Sequence, residues 1–329
     1  MEYNYPALQE VITAITSRNQ PVQLVKNYDE LSDAELNRID WDNSVAELKY
    51  DGVYCAIMNT SDCGIVVLSR SGNRFYFQEE VLRELLADSL VMSRPLEQCV
   101  GHSVLIAELI NTDMSLEGLS GLVNTNRTTP WTDAECMTMV QSGSFMYHDC
   151  IPSKFFMEGR DSASYRIRRK QLEYIARDSN IVQFSKVSDE EQWLGFSDEV
   201  IDANWEGAVL KQLNAPWVAG PKSINAVKRV RGVHLDLRCT GWALGKGKRS
   251  AQVAKLHFEY NGKPFSADLG KGWTDAKRDE LTARATAWND TVTGKVFHVK
   301  GLCISSKGVI RLPKVQEERV DKPVADGEV

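Results

Sequence analysis

Apolar and polar positions alternate in two rhythms along this chain. Residues 7–18 repeat apolar side chains at helical spacing and run up to Pro21. From 45 to 58 the pattern turns strand-like, with Val53, Cys55 and Ile57 alternating, and 64–68 predicts a second strand. A helix is predicted over 79–90, with Val81, Leu82, Leu85 and Leu86 on one face. Residues 104–110 read as a buried strand interrupted by one carboxylate, Glu108, a costly arrangement unless that group is paired or bound to something. A strand over 145–151, a helix over 164–178 and a strand over 181–187 follow. Helical turns at 189–196 and 198–204 then precede a strand at 206–211. Segments 116–121 and 128–131 read as loops around a short helix.

After Lys228 the texture changes to Gly-punctuated strands at 235–242, 251–260, 264–268, 296–305 and 308–312, with one helix inserted at 274–288. Short antiparallel strands with one inserted helix predict a five-stranded OB-type barrel. The expected class is therefore α+β: antiparallel sheets flanked by helices over 1–232, a barrel over 233–323, and a disordered tail at 324–329.

The 329 residues are enough for two cores, and 43% apolar with 26% charged residues is ordinary for a globular chain. No run approaches the ~18 apolar residues of a membrane span. The N-terminus lacks a signal-peptide pattern, so the expected location is cytoplasmic, with no membrane partner. Seven scattered cysteines without a Cys-x-x-Cys pair argue for reduced thiols rather than zinc. The net charge of −6 does not advertise a nucleic-acid binder, yet phosphate responds to local fields. There are two basic clusters: Arg166, Arg168, Arg169 and Lys170 read as a solvated surface run, as charge runs usually do, whereas Lys246, Lys248 and Arg249, on a Gly-flanked turn between strands, read equally as that or as phosphate-backbone contacts.

Three short strings carry the chemistry: Lys49-Tyr50-Asp51-Gly52, Glu206-Gly207-Ala208-Val209-Leu210-Lys211 and Arg319-Val320-Asp321-Lys322. A lysine that attacks phosphorus must do so as a free amine, although its ordinary pKa is about 10.4. Desolvation and neighbouring cations lower that value. Two residues before Lys49, Glu47 points to the same strand face.

In order and content these strings resemble the covalent nucleotidyltransferases, most closely the small ATP-dependent DNA ligases of the bacteriophage type. The resemblance runs from Leu24-Val25-Lys26-Asn27-Tyr28-Asp29 to Lys322, and includes Ser69-Arg70-Ser71-Gly72-Asn73, Ala107-Glu108-Leu109 and Tyr147-His148-Asp149. Tyr165, Arg168 and Leu172 repeat a spacing seen after the last of these. It implies a nucleotidyltransferase (adenylation) domain followed by an OB-fold barrel, ATP as donor, magnesium with manganese as substitute, and nicked double-stranded DNA bound by a monomer. Lys49 is then the nucleophile, and Lys211 and Lys228 grip phosphate. Glu206 anchors the metal, and Glu108 contacts the ribose or assists the metal. Glu47 reads the adenine amino group, and Tyr147 or His148 stacks on the base. Arg70 contacts the ribose and the bound 5′-phosphate, with Arg74 nearby, while Lys246, Lys248 and Arg249 contact the DNA backbone. Arg319 and Lys322 orient the pyrophosphate, with a hinge near Gly232. One departure is Tyr54, where many relatives carry a phosphate-gripping arginine. An RNA ligase, a capping guanylyltransferase or an inactive OB-fold binding module are the competing readings.

Overall fold

The computed structural model describes residues 5–18, 21–92, 95–305 and 308–326. The chain divides between Val230 and Arg231 into two compact units. In chain order the strands of the first are β1 (Gln23–Asn27), β2 (Ser44–Lys49), β3 (Val53–Thr60), β4 (Gly64–Leu68), β5 (Ser103–Asn111), β6 (Gly143–Pro152), β7 (Arg160–Asp161), β8 (Phe184–Val187), β9 (Gly207–Gln212), β10 (Trp217–Val218) and β11 (Gly220–Val230). They form a five-stranded sheet in the order β1-β11-β9-β2-β8, a four-stranded sheet in the order β4-β3-β5-β6, and a two-stranded ribbon of β7 and β10.

Period-two alternation gives each sheet two chemically different faces. In the five-stranded sheet, Ala46, Ala208, Leu210 and Val227 point to one side, where the helix Glu190–Asp202 seats the fully buried Trp193. The other side carries Glu47, Lys49, Val209 and Lys228 through the pairings Lys49↔Gly207, Glu47↔Val209 and Val209↔Lys228. In the four-stranded sheet, Cys55, Ile57, Leu105, Ala107 and Phe145 enter a core shared with the helix Glu79–Ser89. Ala56, Met58 and Ile106 enter a second core beneath the helix Leu8–Thr16. Tyr54 and Glu108, paired across β3 and β5, continue this second face.

Lys49-Tyr50-Asp51-Gly52 separates β2 from β3, so the segment expected as one strand passes between two sheets. Gly52 makes the transfer possible: a Cβ there would lie 2.4 Å from the Leu109 carbonyl oxygen and 2.7 Å from Glu108 Cγ.

Other elements differ from expectation for identifiable reasons. The two helical turns predicted around 189–204 are one helix, continuous through Gly195 because its apolar face rests on the sheet. A helix at Asp133–Ser142 was unforeseen, although Thr132 and Glu135 form the capping box that announces one.

The second unit holds β12 (Val233–Arg238), β13 (Gly241–Leu244), β14 (Val253–Tyr260), β15 (Lys263–Leu269), β16 (Val296–Gly301) and β17 (Lys314–Glu318). They form a curled six-stranded sheet in the order β12-β16-β17-β15-β14-β13, an OB-fold-like half-barrel, rather than five strands. The expected strand 235–242 is two, because the backbone changes partner: Cys239 N donates to Lys295 O and Thr240 N to His257 O. The final strand lies not at 308–312 but after Pro313, which lacks the N–H a ladder needs. The tail expected to be disordered is anchored at its start: Ala325 is buried, and Asp326 N donates to Asp236 O. Residues 327–329 lie outside the described residues. Among the described residues no helix is long and apolar enough to cross a membrane, and no cysteine is joined in a disulfide.

Gly52→Ala is expected to cost about 1–3 kcal/mol through forced displacement of β5, read as a lower urea midpoint at unchanged slope. An unchanged midpoint would show that the β3–β5 approach is not close.

Candidate active site

Lys49 ends β2 opposite Gly207, the first residue of β9, so the side chain of Glu206 arrives beside it. Lys49 Nζ lies 2.5 Å from Glu206 Oε2, with the two side chains 23% and 13% exposed. Gly207 takes φ 149°, and a Cβ there would meet Arg229 O at 2.2 Å. This ladder end therefore requires glycine, and Gly207 keeps β9 tight against β11 and Lys228.

Glu108 and Arg70 complete the cluster from the four-stranded sheet. Burial raises the Glu108 carboxyl from 4.5 to about 7, against the pull of Lys49 and Arg70 and with the help of Glu206 and Asp51. Glu206 is raised too, by burial that its ion pair with Lys49 only partly offsets. Lys228 is lowered by burial and then by Lys49, with Arg70 adding to the effect and Glu206 opposing it. Arg70 projects exposed from the turn Ser69–Asn73, closed by Ser69 N to Asn73 O at 2.7 Å. The result is three cations and three carboxylates around one surface. Tyr54 stands beside Glu108 under the field of Arg70, and burial holds its phenol protonated.

A second cluster surrounds Glu47, which is only 2% exposed. It accepts from the Tyr165 hydroxyl and pairs with Lys211 Nζ at 2.8 Å. Lys211 also donates to His148 O at 2.8 Å and lies 4.4 Å from the Tyr165 ring centroid. Lys211, expected at the phosphates with Lys228, is paired here with Glu47 on the same sheet face as Lys49.

A bulge places Tyr147 and His148 differently. Ile106 pairs with Asp149 but Ala107 with Tyr147, so His148 is the extra residue. Tyr147 is consequently fully buried in the core behind the sheet, its hydroxyl 2.8 Å from Ser89 Oγ, with no face to offer a base. His148 senses Lys211 and Lys49, and burial followed by Lys211 lowers it to about 3. Its ring is therefore a neutral plate above that pH. Sequence reasoning missed Phe184, which lies directly across from Glu47, is 37% exposed, and has the Arg169 guanidinium 5.0 Å from its ring centroid. An aromatic residue on an edge strand was the available signal.

The family model described as "ATP dependent DNA ligase domain" matches residues 22–229. The chain belongs to this family. A DNA ligase from Nitrosopumilus maritimus (strain SCM1) is 28% identical over 131 residues, covering 36% of this chain and 22% of that protein's length. Among solved structures, one from a structure-function study of Lig E DNA ligases, "DNA binding with a minimal scaffold", superposes with a TM-score of 0.66 at 15% identity over 91% of this chain and 98% of that one. The ATP-dependent DNA ligase from bacteriophage T7, in complex with ATP, superposes at 0.50 with 16% identity over 91% and 98%. At these identities the superpositions speak for the fold.

Within the ligase domain, the basic run at the start of the helix Tyr165–Ile175 is not a surface patch. Arg168 is buried in a bidentate pair with Asp149, at 2.8 and 3.1 Å, and Arg169 is buried against Val182 O; Arg166 and Lys170 are exposed. Arg74 is exposed and lines a 190 Å³ cavity with Glu79, Arg83 and Glu97. Lys222 pairs with Glu30 at 3.1 Å.

In the second unit, Asp236 gathers the C-terminal basic pair. Its Oδ2 accepts from Arg319 at 2.6 Å and Lys322 at 3.0 Å, while Oδ1 lies 2.9 Å from His298 Nδ1. Burial alone would raise this carboxyl, but His298, Lys322 and Arg319 outweigh it and hold the group below its usual range. Lys246 and Lys248 are exposed on a turn, whereas Arg249 lies 3.1 Å from Asp275.

Glu108 and Glu206 offer the oxygen-only donors suited to magnesium. Among the described residues no group of three or more His, Cys, Asp or Glu stands ready to hold a cation, so water and phosphate oxygens would supply the rest of its shell.

Glu108 should make the stability of the protein without nucleotide or metal depend on pH. Its folded pKa of about 7 exceeds the ordinary 4.5, so the folded protein binds the extra proton between these values. Stability then falls as pH rises through this window, by about 3 kcal/mol. Glu108→Gln should regain that amount at pH 8 and little at pH 4, in denaturant titrations without nucleotide or metal. Equal stability of the two proteins at pH 8 would refute the assigned strain.

Proposed function

We propose that the protein is an ATP-dependent DNA ligase that seals 5′-phosphate/3′-hydroxyl nicks in duplex DNA through a lysyl-AMP intermediate. The observation that carries this reading is the position of Lys49 Nζ, fixed by Glu206 where Lys228, Arg70 and Glu108 converge, within a ligase-family chain.

In the first step Lys49 loses a proton and gives up its ion pair with Glu206. Its nitrogen bonds the α-phosphorus of ATP as the bond to the β-phosphate oxygen breaks, and pyrophosphate leaves. Next, an oxygen of the DNA 5′-phosphate bonds the AMP phosphorus and the P–N bond to Lys49 breaks. Finally the 3′-hydroxyl, losing its proton, bonds the 5′-phosphorus and AMP departs.

Lys228 is suited to the α-phosphate: partly buried cations stabilise charge that develops on phosphoryl oxygens more than exposed ones do. Arg70, exposed at the rim, suits the ribose or the DNA 5′-phosphate, with Arg74 farther along the same loop. Glu206 and Glu108 would hold magnesium, whose contribution when bound is to neutralise the phosphates during transfer. Neutral His148 fits a stacked base, with Glu47 at the base edge. Exposed Lys246 and Lys248 suit the DNA backbone, while the Asp275 pairing of Arg249 makes it the weakest of the three. Arg319 and Lys322 must exchange Asp236 for pyrophosphate oxygens to assist its departure.

The test is sealing of a labelled nicked duplex with ATP and magnesium. Lys49→Ala should abolish sealing, and Glu206→Ala should lower it at least about a hundredfold. Sealing by Lys49→Ala would remove the mechanism, and covalent labelling from GTP rather than ATP would point to capping chemistry.

A further inference from the structure

Glu47 is the most buried carboxylate on the face that carries Lys49, and burying such a group is costly unless each oxygen is satisfied. Its two oxygens are divided between two donors. Oε1 accepts from the Tyr165 hydroxyl, and Oε2 pairs with Lys211 at 2.8 Å. The two donors are themselves coupled: Lys211 Nζ sits 4.4 Å from the Tyr165 ring centroid, and both groups reach His148 O, at 2.8 Å from Lys211 and 3.3 Å from Tyr165.

Tyr165 cannot follow Glu47 if that side chain moves. It is 2% exposed, opens the helix Tyr165–Ile175, and donates its backbone N–H to Ala215 O at 2.9 Å. Three residues on, Arg168 locks the same helix to Asp149, the neighbour of His148. The phenol therefore fixes the Glu47 side chain relative to the His148 segment. With one lone pair on each oxygen taken by Tyr165 and Lys211, what Glu47 can offer a ligand is acceptance only.

We propose that Tyr165 is a positioning residue for nucleotide choice: with Lys211 it holds Glu47 as a fixed acceptor at the base edge, selecting a purine with an amino group at ring position 6 over a 6-oxo purine. This rests on the reading of Glu47 as the base-edge contact. A 6-amino group donates to the carboxylate, whereas a 6-oxo group sets oxygen against oxygen, and a buried site rejects such mismatches strongly. A role confined to packing would instead show as lost stability with nucleotide preference intact.

The experiment uses the full chain, stripped with pyrophosphate, in single-turnover self-labelling with α-labelled ATP and α-labelled inosine triphosphate. Wild type should prefer ATP. Tyr165→Phe should raise the half-saturating ATP concentration and shrink the ATP preference, each by about tenfold, with the maximal rate within about twofold. A lower melting temperature with preference unchanged would overturn the inference and leave the ligase reading intact. Should Tyr165→Phe fail to fold, Glu47→Gln must show the same collapse of preference, and preference intact in Glu47→Gln overturns the inference as well. Absence of label from either nucleotide in wild type would instead defeat the ligase reading, and this inference with it.

Discussion

One ion pair organises the polar face of the five-stranded sheet: Lys49 Nζ against Glu206 Oε2 at the shared end of β2 and β9. It exists because two backbone demands are met there. The chain must leave one sheet for the other immediately after Lys49, which only Gly52 permits, and β9 must begin with a residue that tolerates φ 149° against β11, which Gly207 does. Glycine stands at both places for steric reasons, and the Lys49 amine and its carboxylate partner are held where the glycines leave room.

Around that pair, charge is balanced but not relaxed. Glu108 and Glu206 titrate above the ordinary carboxylate range and Lys228 below the ordinary lysine range, each chiefly through burial. A site in this condition favours a ligand that brings both signs, as a metal-bound triphosphate does. Preorganised charge of this kind lowers barriers because little reorganisation remains at the moment of reaction. The second unit shows the opposite balance: Arg319 and Lys322 are both paired with Asp236.

Much of this was legible in the chain. Lys49 and Glu47 could be placed on one strand face because side chains alternate with period two, and Glu108 stood out as a carboxylate inside an apolar run. What escaped was set by long-range register. The bulge in β6 adds one residue and sends Tyr147 into the core while releasing His148, a shift no local pattern records. Arg168 and Arg169 read as a basic patch because the partners that bury them, Asp149 and Val182 O, come from other parts of the chain. Phe184 and Tyr165 gain meaning only once the pairing of β8 with β2 and the helix start at Tyr165 set them beside Glu47. The half-barrel was recognisable from strand spacing. Its corner at Cys239 and the strand after Pro313 were not, because both depend on where backbone hydrogen bonds find partners.

Lys49 is proposed to take the nucleotide, although Lys211 and Lys228 share its sheet face. The most direct measurement is peptide mass spectrometry of the protein after incubation with ATP and magnesium, to locate the adenylyl group. Adenylylation on the peptide bearing Lys49, through an acid-labile P–N bond, is the predicted result. Adenylylation on Lys211 or Lys228 with Lys49 unmodified would contradict it.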